Sequence, residues 1–141
     1  MKKTLLIHPA LSEVIASLGH MDRLVIADAG LPIPPETRRI DLALTKGIPT
    51  FADTLRVVLS EMCVERAMIG EEMLTASPDV YETLRTALRD IPIEAMPHTA
   101  FKEQTRSARA VVRTGEFTPY ANVILVAGVW GFSFAQRPTS Q

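Results

Sequence analysis

Short runs of β-branched and apolar residues recur along this chain, and stretches with helical periodicity separate them. "RLVIA" (23–27), "VERAMIG" (64–70), "IPIEAM" (91–96), "ARAVVRTG" (108–115) and "ANVILVAGVW" (121–130) have the length and composition of strands. Ahead of the first run, Leu11, Val14, Ile15 and Leu18 stand at i, i+3, i+4 and i+7. They form one face of a helix, with Gly19 as its stop. Phe51, Leu55, Val58, Leu59 and Met62 make a second stripe, opened by Thr50 with Asp53 in its first turn. Ser77-Pro78 starts a third helix, whose buried face is Val80, Leu84, Ala87 and Leu88. Residues 99–107 are expected to be helical too. "RRIDLAL" (38–44) reads as a short strand or extended segment, and the prolines and glycine of "DAGLPIPPE" (28–36) make it a loop. Strands alternating with helices predict an α/β fold: a single compact domain with a mostly parallel sheet flanked by helices. The run 121–130 is apolar enough for the centre of that sheet.

A length of 141 residues suits one domain, assigned here to 1–132, with a polar tail over 133–141 that is expected to be mobile. Hydrophobic residues make up 47%, too many for a disordered chain. The 15 basic and 16 acidic residues leave a net charge of −1, with no electrostatic footprint for nucleic acid or an anionic membrane. Small neutral ligands stay open. The one cysteine, Cys63, excludes an internal disulfide and a multi-cysteine metal site, as suits a reducing compartment. "MKKTLLIHPAL" imitates the start of a secretory leader, but His8 and Pro9 cut its apolar run short. No stretch approaches the roughly 18 apolar residues of a membrane span. The expectation is a soluble cytoplasmic protein.

The chain has no G-x-G-x-x-G, G-x-x-x-x-G-K-[ST], H-E-x-x-H or G-x-S-x-G. The position of polar residues relative to the strands is more informative. Open α/β sheets bind ligands beyond the carboxyl ends of their strands. Asp28 follows the strand 23–27, His98 follows 91–96, and Tyr120 and Asn122 flank the start of the last strand. The alternative is that Asp28 caps its own turn and His98 merely begins a helix. His20 lies past a helix C-terminus, where the dipole favours imidazolium, with Asp22 and Asp28 as nearby carboxylates. That suits a general acid, or equally a surface histidine capping the last carbonyls. Helix, stop, histidine, strand and aspartate are expected to present His20 and Asp28 at one sheet edge. His8, His20, His98 and Asp28 lack metal-ligand spacing, so no metal is expected. Glu71-Glu72 reads as solvated surface or a helix start, because adjacent residues point different ways. Cys63 reads as core. Lys102, one helical turn from His98, either reaches a ligand hydroxyl or is solvated.

"LGHMDRLVIADAGLPIP" (18–34), "HTAFKEQT" (98–105) and "VVRTGEFTPYANVILVAGV" (111–129) closely resemble the D-ribose pyranase family, whose relatives include the L-fucose mutarotases. The likeness runs from Met1 to about Val129, and "DAGLPIP" is similar to the ribose branch. The resemblance implies a cofactor-free isomerase that interconverts the pyranose and furanose forms of D-ribose. The role the resemblance implies is to link uptake systems that typically deliver pyranose to a ribokinase that uses furanose. The resemblance implies that His20 is the proton donor. It also implies that Asp28, His98, Tyr120, Ala121 and Asn122 line the sugar site. Asp28 or His98 would share the base role, with Lys102 and His8 as additional candidates. It further implies a cyclic homo-oligomer, a decamer of two pentameric rings, with sites near subunit boundaries. Two departures stand out. His8 replaces the asparagine usual in the ribose branch, and the chain continues past "GVWGF" into "SFAQRPTSQ". Mutarotation of another sugar such as L-fucose, and a sugar-binding module without turnover, are the competing readings.

Overall fold

The computed structural model describes residues 1–131, so the tail expected over 133–141 lies outside the described residues. In chain order the elements are α1 (Pro9–Ser17), β1 (Arg23–Ala27), β2 (Arg39–Asp41), α2 (Phe51–Leu59), β3 (Val64–Gly70), α3 (Met73–Ala76), α4 (Pro78–Leu88), β4 (Ile93–Met96), α5 (His98–Gln104), β5 (Ala110–Arg113) and β6 (Val123–Ala127). A short 3₁₀ turn, Thr105–Ser107, continues α5.

The six strands form one sheet in the order β2-β5-β1-β6-β3-β4. Pairs β2–β5, β1–β5 and β3–β4 are parallel, whereas β6 runs antiparallel to both β1 and β3. Five strands therefore point one way and the central β6 points the other. The mostly parallel sheet of the sequence reading holds, with this one reversal added. β6 is buried along its whole length, as its uninterrupted apolar run requires of a strand covered on both faces.

Alternate strand residues feed two apolar cores. Leu24 and Ile26 of β1, with Val123 and Leu125 of β6, pack among Leu11 and Val14 of α1, Phe51, Leu55 and Val58 of α2, and Leu84 and Leu88 of α4. Val25, Ala27, Ile124 and Val126 face the other way, toward Phe101 of α5 and Leu31. Helices thus cover both faces, and a one-residue slip of either central strand would exchange the two cores. No helix among the described residues is long and apolar enough to cross a membrane.

Two helix ends differ from the sequence reading. α1 stops at Ser17, and the amide of Leu18 still donates to the Ile15 carbonyl. The left-handed residue of the following turn is Met21 (φ 71°), not Gly19. At the other end, His8 is the N-cap. Its Nδ1 accepts the Leu11 amide at 3.2 Å, ahead of Pro9 in the first turn. Asparagine is among the favoured N-cap residues, so an asparagine at position 8 could serve the same capping task. His8→Ala is expected to lower the unfolding free energy by about 1 kcal/mol, and His8→Asn to restore it. Urea denaturation of the three proteins checks this.

Candidate active site

The strand directions decide which residues can meet. β1, β3, β4 and β5 all end at one edge of the sheet, and the reversed β6 begins there. Asp28, Glu72, His98 and Arg113 arrive at this carboxyl edge from strand ends, and Tyr120, Ala121 and Asn122 arrive from the start of β6. Of these, Asp28, His98, Arg113, Tyr120 and Asn122, together with Ala29, Gly30, Leu31, Pro32, Glu116, Phe117 and Pro119, surround an open cavity of about 490 Å³. Asp28, Asn122, His98 and Tyr120, singled out from sequence, all line it. Ala121, expected to line the site with them, is fully buried and does not line this cavity.

Asp28 and Asn122 hold each other. The Asp28 amide donates to Asn122 Oδ1 at 2.7 Å, and Asn122 Nδ2 donates to Asp28 Oδ2 at 3.3 Å. The Gly30 amide donates to Asp28 Oδ1 at 3.0 Å, the turn-capping bond expected of an aspartate here. The turn role and a ligand-facing role therefore coexist. Burial pushes the Asp28 carboxyl above the ordinary aspartate range. Hydrogen bonds from Gly30, Leu31 and Asn122, and the nearby His98, pull it the other way without cancelling the effect.

His98 opens α5, and its amide donates to both carboxylate oxygens of Glu72, at 3.0 and 3.1 Å. Its ring meets Tyr120 edge-on at 5.0 Å and stacks on Phe101 at 5.9 Å. Gly70 makes room for that ring, since a Cβ there would lie 3.2 Å from His98 Nδ1. Tyr120 has φ 59°, an unfavourable conformation for a bulky residue. It persists because the loop around it is tied down. Buried Ser77 donates its hydroxyl to the Pro119 carbonyl, and the Asn122 amide bonds the Tyr120 carbonyl at 2.8 Å.

The loops after β1 and β5 are stitched together. Buried Thr114 donates its hydroxyl to the Ala27 carbonyl at 2.8 Å, and the Ala29 amide donates to Glu116 O at 2.8 Å. Arg113 Nε reaches the Ala29 carbonyl at 3.0 Å while its Nη1 pairs with Asp41. Glu116 accepts the Phe51 amide at the start of α2 and the Thr118 hydroxyl. Burial is the largest influence on Glu116 and raises its carboxyl, but these and neighbouring donors outweigh it and leave it lowered. Arg113, Glu116 and Phe117 were not picked out from sequence, and Glu72, read there as solvated surface or a helix start, does precede α3 but also binds the His98 amide. Glu72 and Glu116 act on backbone amides distant in sequence, which no local spacing reveals.

His20 is elsewhere, which corrects the expectation that it shares an edge with Asp28. The Met21 amide donates to Ala127 O and the Ala127 amide to Asp22 O, both at 2.8 Å. This sets the His20 turn beside the end of β6, while Asn122 at the beginning of β6 holds Asp28. A five-residue strand spans roughly 17 Å between them. The side chain that pairs with His20 is also not an expected one. His20 Nε2 lies 2.9 Å from Glu65 Oε2. Asp22 instead accepts the Gly19 amide at 2.8 Å and pairs with Arg109, and the Gly19 bond leads in holding its carboxyl below the ordinary range. Lys102 is exposed on α5 beside Pro32–Pro35, outside the cavity, and His8 caps α1. Among the described residues no three His, Cys, Asp or Glu side chains gather as a metal site.

Fold and site together define a small α/β protein with an open cavity of mixed polar and apolar lining at the carboxyl edge of a mixed sheet. The chain belongs to the RbsD / FucU transport protein family, whose model matches residues 1–130. A D-ribose pyranase of Chloroflexus aggregans (strain MD-66 / DSM 9485) is 61% identical over 129 residues, covering 92% of this chain and 98% of the relative. The structure of Bacillus subtilis RbsD complexed with D-ribose superposes with a TM-score of 0.89 at 45% identity, covering 92% of this chain and 98% of that one. The fucose mutarotase of Streptococcus pneumoniae in complex with L-fucose is more distant. Its TM-score is 0.75 at 26% identity, over 87% of this chain and 94% of the other.

Asp28 is expected to titrate above its ordinary value of 3.8, and Asn122→Ala to raise the midpoint further by removing a bond that favours the charged form. The sign follows for stability. The folded chain holds this proton more tightly than the unfolded chain, so the Asp28 contribution falls as pH rises from 3.8 through the folded midpoint. Carboxyl ¹³C NMR titration measures it, and a midpoint at or below 3.8 contradicts it.

Proposed function

We propose that this chain is a D-ribose pyranase, an isomerase that interconverts the pyranose and furanose rings of D-ribose by opening and reclosing the hemiacetal. The observation that carries this reading is the carboxyl-edge pocket. There a carboxylate, an amide, an imidazole and a phenol converge beside Phe117 and two prolines. Such a lining offers hydrogen bonds to hydroxyls and apolar surface to the C–H face of a sugar. The high identity to a protein named D-ribose pyranase supports ribose over fucose. The compartment that goes with this reading is the cytoplasm, where imported pyranose would be used.

The reaction moves only protons and one C–O bond. The ring oxygen gains a proton and the anomeric hydroxyl loses one, so the C1–O5 bond breaks and C1 becomes an aldehyde. Attack of the C4 hydroxyl on C1, with its proton leaving and another reaching the carbonyl oxygen, closes the furanose. General acid–base groups suffice, and typically supply 10²–10⁴-fold. In our reading His20 is the acid at the ring oxygen. Asp28 and His98 orient hydroxyls and one of them shares the base role. Tyr120 and Asn122 line the bound sugar.

The separation of His20 from the pocket within one chain supports a site divided between copies. His20 of one copy then faces the pocket of the next. Such a contact joins different surfaces of identical chains, and head-to-tail contacts of this kind close into rings. Exposed Leu44, Ile48 and Phe117 beside the pocket, and exposed Met21, Val129 and Trp130 on the His20 side, offer the apolar area. The assembly we propose is the cyclic decamer of two pentameric rings.

Saturation-transfer NMR on D-ribose is expected to show faster pyranose–furanose exchange with the protein present. Accelerated anomer exchange in L-fucose alone, or ribose binding without exchange, overturns the reading. His20→Ala should reduce exchange by roughly 10²–10⁴-fold with ribose binding retained. Co-assembling His20→Ala with Asp28→Ala at equal amounts should restore about one quarter of wild-type exchange, because a random head-to-tail ring rebuilds that share of intact sites. No recovery would mean that both residues serve the same copy.

A further inference from the structure

We infer that Glu65 is a positioning residue for His20, and that it leaves Nδ1 as the ring atom that gives and takes the proton. This rests on the proposed acid role of His20. An ionised carboxylate only accepts hydrogen bonds, so the 2.9 Å contact with Glu65 Oε2 places a hydrogen on His20 Nε2. The free position of the ring is then Nδ1. It donates when the ring is charged and accepts when the ring is neutral. In ring opening, the proton on Nδ1 passes to the ring oxygen as the C1–O5 bond breaks. In reclosing, the Nδ1 lone pair takes back the proton released at the attacking hydroxyl. Nε2 keeps its hydrogen throughout.

The local backbone is built to aim Glu65. β3 pairs Val64 with Ala127 and then Arg66 with Val126, so Glu65 is the extra residue of a bulge. Bulges re-aim a side chain that regular pleating would point elsewhere. Gly128 permits the close approach. Its amide donates to the Cys63 carbonyl at 2.9 Å, and a Cβ there would lie 3.2 Å from Glu65 Cβ and 3.3 Å from Cys63 Sγ. The Glu65 side chain is 23% exposed and that of His20 54%. An ion pair this accessible adds little to folding stability. Its consequence is orientation: it fixes the tautomer and swing of an otherwise free ring at the edge that would face a neighbouring pocket.

The test uses the full chain in its native assembly, with exchange of D-ribose followed by saturation-transfer NMR. Glu65→Ala should lower kcat by about 10–100-fold, the range found for outer partners that orient a histidine. KM for ribose should stay within about twofold, because ground-state binding does not pass through this pair. Glu65→Asp should recover part of the loss. Adding Glu65→Ala to His20→Ala should cost nothing further, since a residue that acts only through His20 has nothing left to orient. With only three histidines in the chain, ¹⁵N-histidine labelling should show one Nε2–H resonance that is sharp in the wild type and lost in Glu65→Ala. A Glu65→Ala kcat within twofold of wild type, or an additive loss in the double variant, overturns the inference. Absence of accelerated exchange in the wild type itself would instead overturn the pyranase reading, so the two failures are distinguishable.

Discussion

Strand β6 runs against β1 and β3, and its two ends therefore reach opposite edges of a sheet whose other strands all point one way. The connection from β5 needs no crossover helix, because a strand that reverses direction can start at the edge where its predecessor ended. Residues 114–122 become a loop lying across the carboxyl edge, and Tyr120, Ala121 and Asn122 are delivered beside Asp28. The far end of β6 fixes the His20 turn through paired bonds between Ala127 and residues 21–22. Pocket and His20 turn are both placed by one strand, and placed apart by its length.

The elements were legible where local chemistry decides them. "VERAMIG" is β3 with the bounds expected, and Thr50 and Ser77-Pro78 open α2 and α4 as read. The direction of β6 was not legible, because an apolar run buried on both faces carries no polarity and no signal of parallel or antiparallel pairing. The position of His20 does not depend on that direction: His20 precedes β1 and Asp28 follows it, so the strand 23–27 by itself sets them at opposite edges of the sheet. His8 could have been recognised, since a polar residue directly before a helix-opening proline is where a cap belongs. Glu65 could have been flagged by consecutive charges in an otherwise apolar strand. Its partner could not, because the bulge that aims it arises from pairing with residues about 60 positions away.

The pocket carries costs that the fold offsets elsewhere. Asp28 keeps a carboxyl where burial disfavours its charge, and Tyr120 keeps a left-handed backbone without being glycine. Neither improves folding at neutral pH. Both are over-determined by neighbours: Asn122 and the Gly30 amide for Asp28, and Ser77 and the fully buried Ala121 for Tyr120. Beneath them the central strands form two continuous apolar cores. That foundation supports a strained edge, and a site supported in this way needs less binding energy for its own ordering when a ligand arrives.

A divided site would also change what assembly means for this chain. A lone copy would retain the Asp28, Asn122 and His98 cluster and could hold a sugar, yet its own His20 stands at the wrong end of β1. Turnover would then require the neighbour, while binding would not. The His20–Glu65 pair fits that division, because both of its members sit on the donating edge and neither contributes to the receiving pocket. The donor would thus arrive with its tautomer already set by its own chain, and the neighbour would need to supply only the sugar. A catalytic group carried across an interface can be aimed this way only if its orientation does not depend on the surface it meets. The bulge at Glu65 is the element that satisfies that condition.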